Sequence, residues 1–263
     1  MMRLRLSLPS TTLLRPVEIR AALPYGFGAS DPPYRTIWAL HCAMGDGDFF
    51  FDNLGAAEIV NREQVAIIAP SMGNGWFINS TFECQADFLQ EMLDAMRSLL
   101  PLSAQREDNA VVGLSMGGFG AVRWALHSGA FASVAAISGV FDCRVPLDPR
   151  MMKNRAQRAL HATFEKTMRR LFLDENTQQM HPDVDIALIL RNPPPSFFPN
   201  VELYCGDHDY LSLPQSTYLK ELCSEHGCPV DLHLSQGGHD QTYWKKALQE
   251  AAANLFHENG KDA

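Results

Sequence analysis

The segment Gly113-Leu114-Ser115-Met116-Gly117 constrains this chain more than any other. The apolar run Ala110-Val111-Val112 leads into it, and Gly117 to Leu126 leads away with the residue pattern of a helix. A Gly-x-Ser-x-Gly pentapeptide adrift in a loop says little. Set between a strand and a helix, it marks a sharp, strained turn that holds a serine hydroxyl exposed at its tip. The flanking glycines leave room for that turn and for close packing of the helix that follows.

The rest of the chain repeats the strand-then-helix pattern. Leu4 to Leu8 and Val17 to Leu23 alternate as strands do, and Arg35 to Leu40 is an apolar run that exits into the glycine-rich loop His41 to Asp48. Val65 to Ala69 reads as a buried strand, and Phe82 to Leu100 as a helix with Phe88, Met92, Leu93, Met96, Leu99 and Leu100 on one face. Beyond the central motif, strands are expected at Val134 to Gly139, Val201 to Gly206 and Val230 to Leu234, with helices at Ser216 to Cys223 and Tyr243 to Phe256. This alternation implies an α/β architecture, a mostly parallel sheet covered on both faces. Residues 143–195 break the rhythm. Two helical segments, Gln157 to Leu173 and Asp183 to Leu190, precede Pro193-Pro194-Pro195. They read either as a cap-like insertion over the ligand-binding edge of the sheet or as plain crossover packing. No repeat or linker marks a second domain, so residues 1–263 are expected to form one catalytic unit.

Charge and composition exclude several classes. The net charge of −8 and the absence of a Lys/Arg block argue against a nucleic-acid partner. No window approaches the roughly 20 apolar residues of a membrane span, and residues 1–15 do not read as a signal peptide. The six cysteines are scattered, several within apolar runs, which fits reduced thiols and a cytoplasmic setting. A Cys223–Cys228 disulfide stays open. A metal site is not expected, because that Cys-x4-Cys pair has no second ligand cluster nearby.

A serine hydroxyl needs a base to become a nucleophile. His239, in the glycine-bounded loop after the last strand, suits that role. His233 lies within a strand pattern, and His208 comes too early to leave room for an acid. The orienting acid should follow the strand ending at Cys205, and both Asp207 and Asp209 qualify by position. Asp240 is a weaker candidate, because an adjacent residue seldom reaches the far ring nitrogen, and Asp142 suits either the acid of another hydrolase arrangement or a loop cap. The developing oxyanion needs backbone donors. Met116 N–H, at the helix start, is one, and Ala43 or Met44 in the loop after Leu40 should supply the other. His41 in that loop reads as a shaper of the loop rather than a catalytic group. Trp76 and Phe77, beside Gly73 and Gly75, suit an acyl or alcohol pocket and equally suit turn packing. The glycine-rich turn lacks the lysine and spacing of a nucleotide cradle.

These motifs together resemble the Putative esterase family of α/β-hydrolases, which includes tributyrin esterases, S-formylglutathione hydrolases of the human esterase D type and mycolyltransferases. The likeness runs from about Leu13 to Leu248. It rests on Gly113-Leu114-Ser115-Met116-Gly117-Gly118-Phe119-Gly120-Ala121, Asn74-Gly75-Trp76-Phe77, Cys205-Gly206-Asp207-His208-Asp209-Tyr210-Leu211, Gly238-His239-Asp240 and Tyr243-Trp244. The small bacterial tributyrin esterases are the branch this chain looks most like. The resemblance implies an α/β-hydrolase fold, Asp209 rather than Asp207 as the acid, and a cofactor-free serine carboxylesterase. Its partner would be a small short-chain acyl ester, cleaved through an acyl-enzyme, and the enzyme would assemble as a homodimer or homotetramer. Cys42 departs from the His-Gly that relatives usually carry. The same elements also suit an acetyl or feruloyl esterase acting on carbohydrate esters, an S-formylglutathione-type thioesterase, or an idle binding protein on the same fold.

Overall fold

Continuous runs of Val, Ile, Leu and Ala, without polar alternation, suit strands buried on both faces. The computed structural model, which describes residues 1–24, 33–144, 150, 155–174, 176–191 and 198–256, places them at the centre. The strands are β1 (Met2–Ser10), β2 (Arg15–Leu23), β3 (Thr36–Leu40), β4 (Ala66–Pro70), β5 (Asn109–Leu114), β6 (Ser133–Ile137), β7 (Asn200–Gly206) and β8 (Val230–Ser235). They form one sheet in the order β1-β2-β4-β3-β5-β6-β7-β8. β2 is antiparallel to β1 and β4, and the other pairings are parallel. Leu40 pairs with Gly113 and Leu114 with Ile137, so β3, β5 and β6 end level with one another. The loops after them therefore emerge side by side at one edge, where open α/β sheets place their chemistry.

Helices cover both faces: α1 (Asp48–Asp52), α2 (Ala56–Glu63), α3 (Gln85–Leu99), α4 (Met116–Ser128), α5 (Arg155–Phe172), α6 (Ile186–Arg191), α7 (Leu213–Glu225) and α8 (Gln241–Asn254). The strand period of two divides the core. Trp38, Leu40, Val111, Val134 and Leu203 point to the layer holding Phe88, Met92, Phe119, Val122 and Leu219. Ile37, Val112, Ile137 and Tyr204 point to the layer holding Ile59, Val60, Ala247, Leu248 and Ala251. Fully burying one such aliphatic or aromatic side chain stabilises the fold by about 1.5–3 kcal/mol.

Helices α1 and α2 lie where the sequence pattern indicates none. α2 has eight residues, and only Ala56, Ile59 and Val60 are buried, too short a stripe to stand out. α7 begins three residues before the predicted Ser216, because Pro214 is accommodated in its first turn. In the segment between β6 and β7, α5 is followed by a 3-10 turn at Pro182–Val184 and by α6. This segment is tied to the core. Arg123 of α4, itself buried, donates from Nε to Asp183 O at 2.6 Å and pairs with the Asp183 carboxylate at 3.3 Å. Pro193-Pro194-Pro195 lies outside the described residues. All six cysteines are free thiols, so the Cys223–Cys228 bridge is not formed, and only Cys84 is exposed. Among the described residues no helix is long and apolar enough to cross a membrane.

The β1–β2 turn is fastened by one carboxylate. Glu91 of α3 accepts from Ser10 Oγ (2.6 Å), Thr11 N (2.7 Å), Thr11 Oγ1 (2.8 Å) and Thr12 N (3.3 Å). Burial pushes its pKa upward, but the hydrogen bonds outweigh that and hold it at about 2, against an ordinary 4.5. A depressed carboxylate stabilises the fold above its unfolded pKa, and that contribution fades as pH falls from about 4.5 toward 2. Glu91→Gln should therefore lower stability at pH 7 by about 1 kcal/mol, after allowing for solvent screening, and by less near pH 3. Urea denaturation at both pH values checks this. An equal loss at both would show that the charge of Glu91 is not what fastens the turn.

Candidate active site

Ser115 sits between β5 and α4 with φ 51° and ψ −111°, a backbone conformation that costs a non-glycine residue about 1–3 kcal/mol. The strain persists because its surroundings fix it. Ser115 N donates to Ile137 O at 2.9 Å, and Ser115 O accepts from Gly118 N at 2.9 Å. A Cβ on Gly113 would collide with the carbonyl of Gly117, and one on Gly117 with the carbonyls of Leu40 and His41. The two glycines thus let α4 start directly above the ends of β5 and β3.

His239 reaches this serine from the loop after β8. Its Nε2 lies 3.0 Å from Ser115 Oγ, and its Nδ1 lies 2.9 Å from Asp209 Oδ2. A carboxylate can only accept, so Nδ1 carries the proton and Nε2 presents a lone pair to the serine O–H. Asp209 is almost fully buried. Burial acts to raise its pKa, but the hydrogen bond and charge of His239, with the Ser212 N–H, bring it below the ordinary value, so the carboxylate stays ionised at neutral pH. Trp244 packs edge-on against the His239 ring at 5.1 Å.

The two candidate acids have separate places. Asp209 meets His239. Asp207 Oδ1 instead accepts from Gly237 N at 3.1 Å and lies 2.6 Å from His208 Nδ1. Asp207 N donates to Ser235 O (3.0 Å) and His208 N to Gly237 O (2.9 Å). Asp207 and His208 therefore knit the acid loop to the histidine loop. Asp240 caps α8 by accepting from Tyr243 N at 3.0 Å. Asp142 pairs with Arg144 at 2.7 Å, and His233 with Glu202 at 2.5 Å.

In the loop after β3, His41 is fully buried. Its Nδ1–H donates to Cys42 O at 2.7 Å and its Nε2 accepts from Met72 N at 3.0 Å, an arrangement that requires the neutral ring. Burial lowers its pKa, in agreement. His41 thus pins this loop to the one after β4. Cys42 is also buried, and burial raises its thiol pKa. Met44 has φ 60°, and its N–H donates to Asn74 Oδ1 at 2.7 Å. The expectation that Met44 offers a free donor is corrected: its N–H is already engaged. Ala43 N–H has no acceptor among the described residues. Met116 N–H opens α4, where a helix has no internal acceptor.

The pocket expectation for Trp76 and Phe77 is also corrected. Phe77 has no exposed surface, stacks edge-on with His41 at 5.3 Å and packs where a Cβ on Gly120 would stand. Trp76, 5% exposed, is clamped by Phe119 at 5.7 Å and Phe172 at 5.0 Å. Both residues have left-handed φ, near 58° and 57°, and Gln85 holds the turn by accepting from Phe77 N (3.0 Å) and donating to Met72 O (2.6 Å). They are packing residues of the turn. A cavity of about 770 Å³ opens elsewhere, lined by Phe141, Asp142, Arg144, Asp185, Arg191 and Tyr218 among others, and Ser115 is not in its wall.

One residue of the site carries no recognised signal. Ser212 is fully buried, its N donates to Asp209 Oδ1 at 2.9 Å, and its Oγ lies 3.2 Å from His239 Nδ1. In sequence, Ser-Leu-Pro before a helix looks like ordinary capping.

The family model described as Putative esterase matches residues 10–255. An acetyl esterase of Caldicellulosiruptor saccharolyticus is 28% identical over 227 residues, spanning 82% of this chain and 81% of that protein. Among solved structures, the Staphylococcus aureus fluorophosphonate-binding serine hydrolase F superposes with TM-score 0.81 at 22% identity, over 98% of this chain and 99% of that one. An S-formylglutathione hydrolase from the same organism gives TM-score 0.76 at 21% identity, over 97% and 99%.

The close approach of Gly117 to β3 predicts the effect of one methyl group. Gly117→Ala should destabilise the protein by about 1–3 kcal/mol, read from the urea midpoint. An unchanged midpoint would show that α4 can draw back from β3 freely.

Proposed function

This chain belongs to the Putative esterase family and has the α/β-hydrolase fold, and from that premise we propose that it hydrolyses short-chain carboxylic esters with Ser115, His239 and Asp209 as its catalytic residues. The observation that carries the reading is the unbroken run from Ser115 Oγ to His239 Nε2 (3.0 Å) and from His239 Nδ1 to Asp209 Oδ2 (2.9 Å).

In this reading His239 Nε2 takes the hydroxyl proton as Ser115 Oγ attacks the ester carbonyl. Asp209 holds the ring in the tautomer that leaves Nε2 free and stabilises the imidazolium. Met116 N–H and Ala43 N–H donate to the oxyanion of the tetrahedral intermediate, an interaction worth about 2.7–4 kcal/mol per donor in a preorganised site. The imidazolium gives its proton to the departing alcohol. A water molecule, activated by the same ring, then attacks the acyl-enzyme and releases the acid. The strained backbone at Ser115 keeps Oγ at the tip of the turn, so little reorganisation accompanies attack. Similarity to an acetyl esterase supports a small acyl group, and free thiols support work in a reducing compartment.

Ser115→Ala should abolish labelling by a fluorophosphonate and lower kcat on p-nitrophenyl acetate by at least about 10⁴-fold while preserving the melting profile. Full labelling of that variant would remove Ser115 from its role. The two aspartates give a sharper comparison. Asp209→Asn should cost about 10³–10⁴-fold in kcat, through loss of the correct tautomer. Asp207→Asn should cost less than about tenfold, since it acts only by holding two loops together. Equal losses would contradict the assignment of the acid. Across esters of graded acyl length, kcat/KM should be highest for acetyl to butyryl groups.

A further inference from the structure

Ser212 stands at the N-terminal boundary of α7, the position where a serine hydroxyl normally accepts from the first-turn N–H groups. Here it makes no such bond. Its single proton is committed elsewhere: Oγ donates to Ser138 O at 2.7 Å, and a carbonyl oxygen can only accept. Toward His239 Nδ1, 3.2 Å away, Ser212 Oγ therefore presents only lone pairs. The Nδ1–H consequently faces two acceptors, Asp209 Oδ2 at 2.9 Å and Ser212 Oγ at 3.2 Å. The same residue also steadies the other acceptor, because Ser212 N donates to Asp209 Oδ1 at 2.9 Å.

The anchor for this hydroxyl is the sheet, not the loops. Ser138, directly after β6, has φ 50° and donates from N to Tyr204 O of β7 at 2.8 Å. Its carbonyl is thus fixed by the paired ends of two strands. A rigid line runs from Tyr204 O through Ser138 and Ser212 Oγ to the histidine ring.

We propose that Ser212 is a positioning residue for His239: a second, sheet-anchored acceptor that holds Nδ1 protonated and Nε2 free alongside Asp209. The inference rests on the esterase reading above. It has a consequence that simple packing lacks. With Asp209 present, Ser212 is partly redundant. With Asp209 truncated, Ser212 Oγ is the remaining acceptor that keeps the productive tautomer. Loss of the hydroxyl should then matter more in the Asp209→Ala background than in the wild type, a coupling that a double-mutant cycle isolates.

The test is a four-protein cycle on the full chain: wild type, Ser212→Ala, Asp209→Ala and the double variant, with p-nitrophenyl acetate as substrate and a fluorophosphonate as an independent probe of Ser115 reactivity. Ser212→Ala alone should lower kcat about 3–10-fold with KM unchanged. In the Asp209→Ala background the same change should lower kcat by about 30-fold or more, and fluorophosphonate labelling should slow in parallel. If Ser212→Ala does not fold, as judged by circular dichroism, Ser212→Cys keeps a weak acceptor of similar size and should show the same ordering with smaller losses. A loss of less than twofold in both backgrounds, an equal loss in both, or a loss confined to KM would overturn the proposal. Wild-type protein that neither turns over ester nor accepts the probe at Ser115 would overturn the esterase reading and this inference with it. An active, labelled wild type with an indifferent Ser212 overturns this inference alone.

Discussion

The site is organised by one close contact, the start of α4 pressed onto the ends of β3 and β5. Ser115 takes a backbone conformation unfavourable by about 1–3 kcal/mol, and the local bond from Gly118 N to its carbonyl is only part of what holds it there. The compensation is distributed. β5 pairs with β3 and β6, Ser115 N is held by Ile137 O, and Gly113 and Gly117 remove the side chains that would push the helix away. Because β3, β5 and β6 end level, the same contact sets where the loop from His41 to Met44 stands relative to Met116 N–H. Ser115 and the Met116 N–H are therefore set beside that loop by one packing arrangement, while His41 and Asn74 fix the loop's own shape.

The contact of His239 with Asp209 depends on a second joint, between the loops after β7 and β8. Gly206 approaches Gly237 so closely that any side chain on Gly206 would strike the Gly237 carbonyl. Asp207 and His208 bond across that joint through Gly237, and Asp240 caps the helix that begins directly after His239. The two aspartates two residues apart thus divide the labour by direction. Asp207, partly exposed, crosslinks the loops, and Asp209, turned inward, meets the ring. A buried carboxylate is tolerable there because His239 and the Ser212 N–H satisfy it.

This division explains what the sequence made legible. Parallel central strands are apolar throughout, and the strand–serine–helix turn is a local pattern, so the sheet, Ser115 and the histidine loop can be read from neighbours in the chain. The choice between Asp207 and Asp209 is not local. Both follow the same strand, and what separates them is the partner each meets some 30 residues away; only the family register distinguishes them in sequence. The same holds for Met44, whose N–H is taken by Asn74, 30 residues distant. Backbone donors leave no mark on residue type. Trp76 and Phe77 look like pocket residues because aromatic side chains beside glycines suit either role, and their burial depends on Gln85, Phe119 and Phe172 arriving from three other segments. Ser212 is hidden for the opposite reason: serine before Leu-Pro has a ready explanation as a cap, and the hydroxyl happens to face elsewhere.

α4 has a further consequence for the segment between β6 and β7. The helix that carries Ser115 at its start also carries Arg123, whose guanidinium is buried against Asp183 of that segment. Phe119, on the same helix, supports Trp76, which in turn meets Phe172 at the end of α5. Burial lowers the Arg123 pKa, though the group stays charged, so its hydrogen bond to the Asp183 carbonyl and its ion pair offset a real desolvation penalty. The arginine would be poorly placed without that partner. The end of α5 and the 3-10 turn at Pro182–Val184 are therefore held to the helix that starts at Ser115, the first by an aromatic and the second by a polar contact. A displacement of this part of the segment relative to Ser115 has to break the Arg123–Asp183 contact or part Phe172 from Trp76. The segment thus meets the site at two places: through α4, and at its first residue, where Ser212 Oγ of the loop bearing Asp209 donates to Ser138 O at 2.7 Å.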